Sequence, residues 1–387
     1  MKKEIKSVIS LENFVGMILA FLPLYLVKFV FWGMPLNFLE ILIGSAFIWW
    51  LLEQRFNNPE WRIFFKNNKT LFVLMGFVLL GLVFSAFFSG NLKAGLGIIK
   101  GWFIFPLVIA LISADIFREK KIKALKFFYG GATGVAFLAM LSYFFGQITY
   151  DGRLQGIFNS PNYLAMYLAP AVIIGMVLFK ENRRRHALSL AIILLTIYLT
   201  HSFATWIAMG IVLLGFFWLN KKSEQNKKLF LGFLILAGLV ILLQIKTDKF
   251  NDLLSLDVRS SLSSRIMIWE SAGKMIADSP VWGIGPGNFQ EKYLDYQKYF
   301  PPYLEWAVPH PHNLYLAFYL YSGILGLAAF LGLIIFWLKK VILQKKETII
   351  LITLGIISYF LLHGMLDTTY FKNDLAVIFW LAIFLPL

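Results

Sequence analysis

Apolar stretches about as long as a bilayer is thick recur along this chain, and the gaps between them alternate in charge. In hydrocarbon every backbone N–H and C=O must be satisfied internally, so consecutive apolar segments of about 20 residues fold as helices. Such stretches cover 12–32, 36–52, 70–89, 92–114, 125–146, 160–180, 229–245, 313–338 and 348–366. The segment 187–219 has 33 residues. One helix of that length would rise about 50 Å, too far for a single crossing. Its flanks, Arg183-Arg184-Arg185 and Lys221-Lys222, are both basic, so an even number of crossings is required. We read two short helices meeting near Thr200-His201-Ser202, and a short last span at Leu375 to Leu387. The first run, near Phe14 to Phe31, is too long for a signal-peptide core and reads as a retained first helix.

Charge sets the orientation. The formal charge of +15 invites a nucleic-acid reading, but 24 of the 36 Lys and Arg fall in six short segments. These are Lys2 to Lys6, Arg55 to Lys69, Arg118 to Lys126, Lys180 to Arg185, Lys221 to Lys228 and Lys339 to Lys346. Every second loop is basic, as expected of cytoplasmic loops. The long segment from Lys246 to His312 holds seven basic and eight acidic residues and belongs outside. The basic balance is therefore topological, and no nucleic-acid partner is expected. The chain has no cysteine, which excludes disulfides and thiolate metal sites. The expected fold is an all-α polytopic membrane protein with about 12 transmembrane helices and a large, partly helical external loop. Helices 1–9 lie in 1–245, the loop at 246–312 carries part of the active site, and helices 10–12 lie in 313–387.

A loop of this length is not expected to be structureless in a compact protein. Ser263-Ser264 can cap a helix running to about Ala277, with Ile266, Trp269, Ala272 and Ile276 on one face and Pro280 as its stop. Phe289 to Phe300 reads as a second short helix, dense in tyrosine. Gly283-Ile284-Gly285-Pro286-Gly287-Asn288 lacks the Lys-Ser/Thr and the preceding strand of a nucleotide-binding loop. It reads as a tight turn that lets backbones approach closely.

Two of the five histidines stand together in His310-Pro311-His312-Asn313, where the loop meets an apolar helix. A helix N-terminus favours the neutral imidazole, the form that can act as a general base; the plainer reading of His312 is a helix-end residue. Pro311 fixes the chain and points His310 elsewhere. Arg265 offers a planar fork suited to phosphate, or is a solvated helix residue. Arg153, within Asp151-Gly152-Arg153-Leu154-Gln155-Gly156, can hold an anionic head group or pair with Asp151. Asn159-Ser160-Pro161-Asn162 reads as a helix start, Ser160 capping and Pro161 in the first position.

Lys28, Glu40 and Lys100 are charges within apolar segments, which are functional hypotheses by default. Lys93 and Lys100 share a helix face and can line a path for a pyrophosphate; alternatively a Glu40–lysine pair ties helices together. His363 and Asp367, four residues apart, are too few for a metal site and read as an orienting hydrogen-bond pair. Trp269, Trp282, Tyr293, Tyr296, Tyr299, Tyr303 and Trp306 offer faces for sugar rings or form an interfacial belt.

Four stretches, in this order, resemble the O-antigen ligase and polymerase superfamily of bacterial membrane glycosyltransferases. They are Gly152 to Ala165, the Thr200-His201-Ser202 hairpin, Ser264-Arg265 through Gly287-Asn288-Phe289, and His312-Asn313 with Gly323 following after nine residues. The resemblance covers about residues 70 to 387. It implies a GT-C-like fold in the bacterial cytoplasmic (inner) membrane, with the active site on the external face. It also implies transfer of a glycan from an undecaprenyl-pyrophosphate-linked donor to a glycan or lipid-core acceptor, without cofactor or metal. By matching position His312 would be the base, Arg265 would bind pyrophosphate, and Arg153 would be a second cation. His310, Asn313, Asn162, Asn288, Lys100, Lys93 and Trp269 are the candidates for substrate binding. Two departures stand out. Ser202-Phe203 replaces the Ser-Arg of many relatives; if that arginine helps bind pyrophosphate, Arg153 or Lys100 must substitute or the lipid sits differently. Gly323-Ile324-Leu325-Gly326 lacks the Thr-Thr common in the ligase form, which weakens ligase relative to polymerase. Two other functions stay open from the residues alone. One is a transporter or flippase for a lipid-linked anion. The other is a shape-elongation-type peptidoglycan polymerase, for which Asp278 and Asp295 are the rough acidic candidates.

Overall fold

The computed structural model describes residues 10–31, 34–179, 182–219, 260–301, 308–344 and 347–387, with scattered positions between 227 and 243. Most of the expected span 229–245, the loop start 246–259, Tyr303 and Trp306 lie outside the described residues. The chain opens with α1 (Leu11–Ala20), capped by the Ser10 side chain. The 3-10 turn Leu22–Leu26 and an antiparallel hairpin follow, β1 (Lys28–Phe31) pairing with β2 (Met34–Asn37). The first helix therefore stops well short of the expected 32, and the all-α expectation gains one hairpin. The reason is Pro23, whose missing N–H and bulky ring cannot continue a helix.

Next come α2 (Phe38–Leu52), α3 (Pro59–Asn67) and α4 (Lys69–Phe88). The fifth helix, α5 (Leu92–Ile116), is π-helical over Lys100–Ile104. After α6 (Lys121–Phe144), α7 (Pro161–Leu178) begins as its sequence dictates, with Ser160 capping and Pro161 in the first turn. The 187–219 segment divides into α8 (Arg183–Leu199) and α9 (Phe203–Leu219), joined at Thr200-His201-Ser202. The remaining described helices are α10 (Ser261–Asp278), α11 (Phe289–Tyr296), α12 (Leu314–Ile342), α13 (Thr348–His363) and α14 (Asn373–Phe384).

Five helical segments are long and apolar enough to cross a membrane: α4, α5, Arg118–Phe144, α7 and α12. Shorter apolar helices, among them α2, α13 and α14, accompany them. The last, expected as a final span, is buried over Asp374–Phe384. At twelve residues it rises only about 18 Å and is walled by protein rather than lipid.

The loop helix α10 starts at the Ser260 cap rather than at Ser263-Ser264. Its buried face is Ser264, Met267, Ile268, Ser271, Ala272 and Met275, while Ile266 is 43% exposed. Both this stripe and the expected Ile266–Ile276 stripe have helical spacing. Packing against α11 and α12 selects between them.

The loop segment before α12 is locked to the helices by an exchange of hydrogen bonds in α12. Gly323 takes φ 66° and ψ −171°, breaking the helix. In an unbroken helix Ile324 N–H would donate to the Leu320 carbonyl. Here Ile324 N–H donates to Val281 O at 3.1 Å, and Leu320 O accepts from Ile284 N at 2.8 Å and Gly285 N at 3.0 Å. The Val281–Gly285 turn thus inserts into the break and satisfies both orphaned groups. Close approach demands glycine on both sides. A Cβ at Gly283 would sit 2.4 Å from Leu320 O, and one at Gly323 would sit 2.2 Å from Val281 O. On the far side of α12, a Cβ at Gly81 of α4 would meet Ser322 O at 2.6 Å.

Gly323→Ala should therefore lower the unfolding temperature of the detergent-solubilised protein. The left-handed backbone alone costs roughly 1–2 kcal/mol, and the clash with Val281 adds to it. Gly76→Ala, whose Cβ meets nothing within 4 Å, should be neutral or stabilising. Equal unfolding temperatures for the two variants would contradict the exchanged bonds.

Candidate active site

The site is built on the turn between α13 and α14, residues 364–372. Three elements strap this turn down. From the start of α12, Leu314 N–H donates to Gly364 O at 2.6 Å and Asn313 Nδ2 to Met365 O at 3.0 Å. From within the turn, Thr369 Oγ1 donates to Phe360 O at 2.8 Å. The π-helical segment of α5 receives the rest: Tyr370 OH donates to Trp102 O at 2.8 Å, and Asn373 Nδ2 to Gly101 O at 3.0 Å. A π segment shifts carbonyls out of the regular ladder and leaves them free to accept such bonds. The result is a rigid polar turn that carries Asp367 and Lys372.

Asn313 caps α12, its Oδ1 accepting from the Tyr315 and Leu316 N–H groups. His312, just before it, is held at φ 46°, a left-handed conformation unusual for a residue with a side chain. That backbone turns the ring toward Asp367, with Nδ1 3.0 Å from Oδ1. An ionised carboxylate only accepts, so Nδ1–H donates and Nε2 keeps its lone pair. Asp367 Oδ1 also accepts from Thr368 N–H at 2.8 Å, and Oδ2 lies 4.0 Å from Arg265. Burial pushes the Asp367 carboxyl up, but His312, Arg265 and His363 outweigh it and hold it well below the usual carboxylate range. Asp367 is thus an ionised, buried carboxylate that fixes the tautomer of His312. The His312 side chain is 29% exposed against 3% for Asp367.

Beside this pair lies a cavity of about 540 Å³. His312, Asp367, His310, Asn159, Asn162, Trp102, Lys28 and Lys372 are among the residues that line it. Of the expected site residues, His312, His310, Asn162 and Asp367 come together here. His310 Nδ1 lies 3.1 Å from the Tyr321 hydroxyl, and burial foremost drives its pKa down to about 3, so its ring is neutral.

The other candidates are placed differently. Arg265 does not line the cavity; it stands behind Asp367, its side chain 16% exposed. Trp269, one turn along α10, donates from Nε1 to His312 O at 3.4 Å and so ties that helix to the histidine. Arg153 is buried: Nε donates to Thr200 O at 2.8 Å, Nη2 to Asn162 Oδ1 at 2.6 Å, and Nη1 lies 3.8 Å from Asp151. It closes the exposed end of α8 and holds Asn162 at the cavity. Asn288 accepts from Asn91 and donates to Ile284 O, securing the glycine turn. Lys100 donates to Glu40 at 2.9 Å and to Pro35 O at 2.8 Å, tying α5 to α2 and the hairpin, while Lys93 is exposed. Neither lysine lines the cavity. The side chains of His363 and Asp367 do not pair with each other. His363 Nδ1 lies 2.6 Å from the Tyr359 hydroxyl, and Asp367 turns to His312. Asp278 bonds to Lys274 and Tyr296 outside the cavity.

Sequence reasoning passed over Lys372 and gave Lys28 no role in the site. The available signal was the polar run Thr368-Thr369-Tyr370-Phe371-Lys372-Asn373-Asp374 between two apolar segments, the same kind of interruption that exposes His312.

A membrane-embedded helical protein with a histidine–carboxylate pair beside a loop helix is the class that fold and site define. Residues 188–331 match the family model of the O-antigen ligase, which spans α8 through much of α12 and includes both Arg265 and His312. A Rickettsia conorii protein named "Putative polysaccharide ligase" is 27% identical over 222 residues, 53% of this chain. That match covers 53% of the relative, so the chain spans about half the length of the curated relative it matches. Both matches support the O-antigen ligase superfamily of membrane proteins in polysaccharide biosynthesis.

Because His312 reaches the cavity and His363 is 1% exposed, diethyl pyrocarbonate should modify His312 well before His363 in the folded protein. Peptide mass mapping of a time course reads this out. Modification of His363 first would contradict the packing of the site.

Proposed function

We propose that this chain transfers a glycan from an undecaprenyl pyrophosphate carrier to an acceptor hydroxyl at the outer face of the bacterial cytoplasmic membrane. The reading is carried by the His312–Asp367 pair at the wall of a cavity large enough for a sugar and its diphosphate. In the proposed step the acceptor oxygen attacks the anomeric carbon while His312 Nε2 takes its proton. The bond from that carbon to the diphosphate oxygen breaks, and the diphosphate leaves with the electron pair. Asp367 stabilises the imidazolium that forms, as a buried carboxylate does behind a catalytic histidine. Arg265 and Arg153 are proposed to favour the charge that grows on the leaving group. Arg265 acts from behind Asp367, and Arg153 through Asn162, to which it donates. The acceptor is a second glycan or a lipid core, and both present the hydroxyl this chemistry requires. The near-neutral loop between basic segments supports the external location.

His312→Ala should lower transfer by about 10²–10⁴-fold, the usual contribution of a positioned general base. The variant should keep normal membrane insertion. Asp367→Asn should fall in the same range, because an amide in place of the carboxylate no longer fixes the tautomer. His310→Ala should cost less, since that ring is engaged with Tyr321. Arg265→Ala should lower transfer by roughly tenfold, because it removes a charge that helps hold Asp367 ionised behind His312. The measurement is release of undecaprenyl pyrophosphate by purified protein supplied with donor and acceptor. A His312→Ala protein of near-normal rate would remove the base from the scheme.

For the outer face, a cysteine placed at Gln290 in this cysteine-free chain should react with a membrane-impermeant thiol reagent in intact cells. Labelling only after lysis would invert the topology.

A further inference from the structure

Among the described residues, Lys28 and Lys372 are the lysines that line the 540 Å³ cavity, and no arginine lines it. They come from opposite ends of the chain, Lys28 from β1 and Lys372 from the turn before α14. Neither ammonium has a carboxylate within 4.0 Å among the described residues. The nearby carboxylates do not neutralise them. Asp367, which shares the cavity, is already engaged by His312, Thr368 and Arg265. The Lys372 ammonium instead sits over the Tyr163 ring of α7, 3.3 Å from its centroid. An aromatic face attracts a cation but leaves its charge unbalanced. Lys28 is exposed and Lys372 half-buried, and an anion held between them would be attracted by both.

We propose that Lys28 and Lys372 form the anion subsite that receives the diphosphate of a prenyl-linked donor, with Lys372 as its main contact. The inference rests on the glycan-transfer reading and names the cations that face the leaving group. Arg265 and Arg153, by contrast, are committed to Asp367 and to the α8 terminus. The glycosyl carbon would then lie between the lysine pair and His312, which share the cavity wall. As the carbon–oxygen bond breaks, the added negative charge on the diphosphate falls beside two ammonium groups.

The electrostatics add a pH signature. Burial foremost lowers the Lys372 pKa to about 8; Lys28 from β1 pushes the same way, while Asp374 from α14 and Asp367 from the turn push back. His310 also feels the lysine charge, and Tyr163 faces it from α7. An ammonium with a pKa near 8 is charged below that pH and neutral above it. Anion binding should therefore weaken as pH rises through 8. Arginine stays charged throughout, so Lys372→Arg should abolish that alkaline loss.

The test is equilibrium binding of a radiolabelled prenyl diphosphate to the full-length protein in detergent, with the prenyl monophosphate and inorganic pyrophosphate as competitors. Lys372→Ala should weaken diphosphate binding about tenfold to a hundredfold. Lys28→Ala should weaken it less, Lys372→Arg should retain it, and His312→Ala should bind normally while failing to transfer. The unfolding temperature of each variant guards against misfolding, and rescue by arginine separates a charge role from a packing role. Wild-type affinity in folded Lys372→Ala would overturn the subsite and leave the transfer reading intact. Intact lysine-dependent binding with full transfer by His312→Ala would overturn the base and leave the subsite standing. A wild-type protein that binds no prenyl diphosphate would overturn both.

Discussion

The exchange of hydrogen bonds at Gly323 is the constraint on which the rest of the structure depends. A membrane helix that breaks must find partners for the groups it releases, because lipid supplies none. Here the partners are Val281, Ile284 and Gly285 of the loop between α10 and α11. The loop is therefore built into a membrane helix and does not simply rest on its end. Through α10 this fixes the positions of Trp269 and Arg265, which reach His312 and Asp367. The turn is further clamped by the Ser85 hydroxyl of α4, which donates to Trp282 O, and by Tyr319, which donates to Pro280 O at 2.6 Å. Glycine is needed at both the break and the turn because each backbone occupies the space a Cβ would fill.

A second irregularity serves the same end. The π-helical stretch of α5 presents the Gly101 and Trp102 carbonyls to Asn373 and Tyr370. Irregular backbone at membrane depth thus anchors both halves of the site, α12 for the loop and α5 for the 364–372 turn. Charge is arranged with equal economy. Among the described residues that line the cavity, Asp367 is the acidic one, and two donors plus Arg265 hold it ionised. Lys28 and Lys372 are the charged lysines on the same described wall.

Arg153 illustrates how burial changes the meaning of a residue. In the sequence it is a lone cation between glycines. In the fold its guanidinium satisfies the carbonyl of Thr200, where α8 ends, and orients Asn162 at the start of α7. Together with the Leu154 N–H bond to Leu199 O, it stitches the 147–160 loop to the α8–α9 hairpin. The arginine that looks most like a ligand hook is thereby part of the frame. Its bond to Asn162 also holds that side chain at the cavity wall.

Much of this was determined by sequence alone. The hydrophobic period and the basic loops specify helices in a membrane, Ser160-Pro161 starts α7, and the two basic flanks split 187–219 at Thr200-His201-Ser202. The glycine run announces a close backbone approach, and Asn313 announces the start of α12 just after His312. These signals are local, set by neighbours a few residues apart. What tertiary structure decided is every pairing across the chain. Asp367 chose His312, 55 residues away, over His363, because the left-handed backbone of His312 swings the ring toward the turn. Lys28 and Lys372, separated by most of the sequence, line one cavity, where the Lys372 ammonium sits over the Tyr163 ring of α7. Lys100, promising as a cation in an apolar run, is neutralised by Glu40, 60 residues earlier. Period and composition say which residues leave the lipid, but a charge acquires its role from its partner, and partners are set by packing.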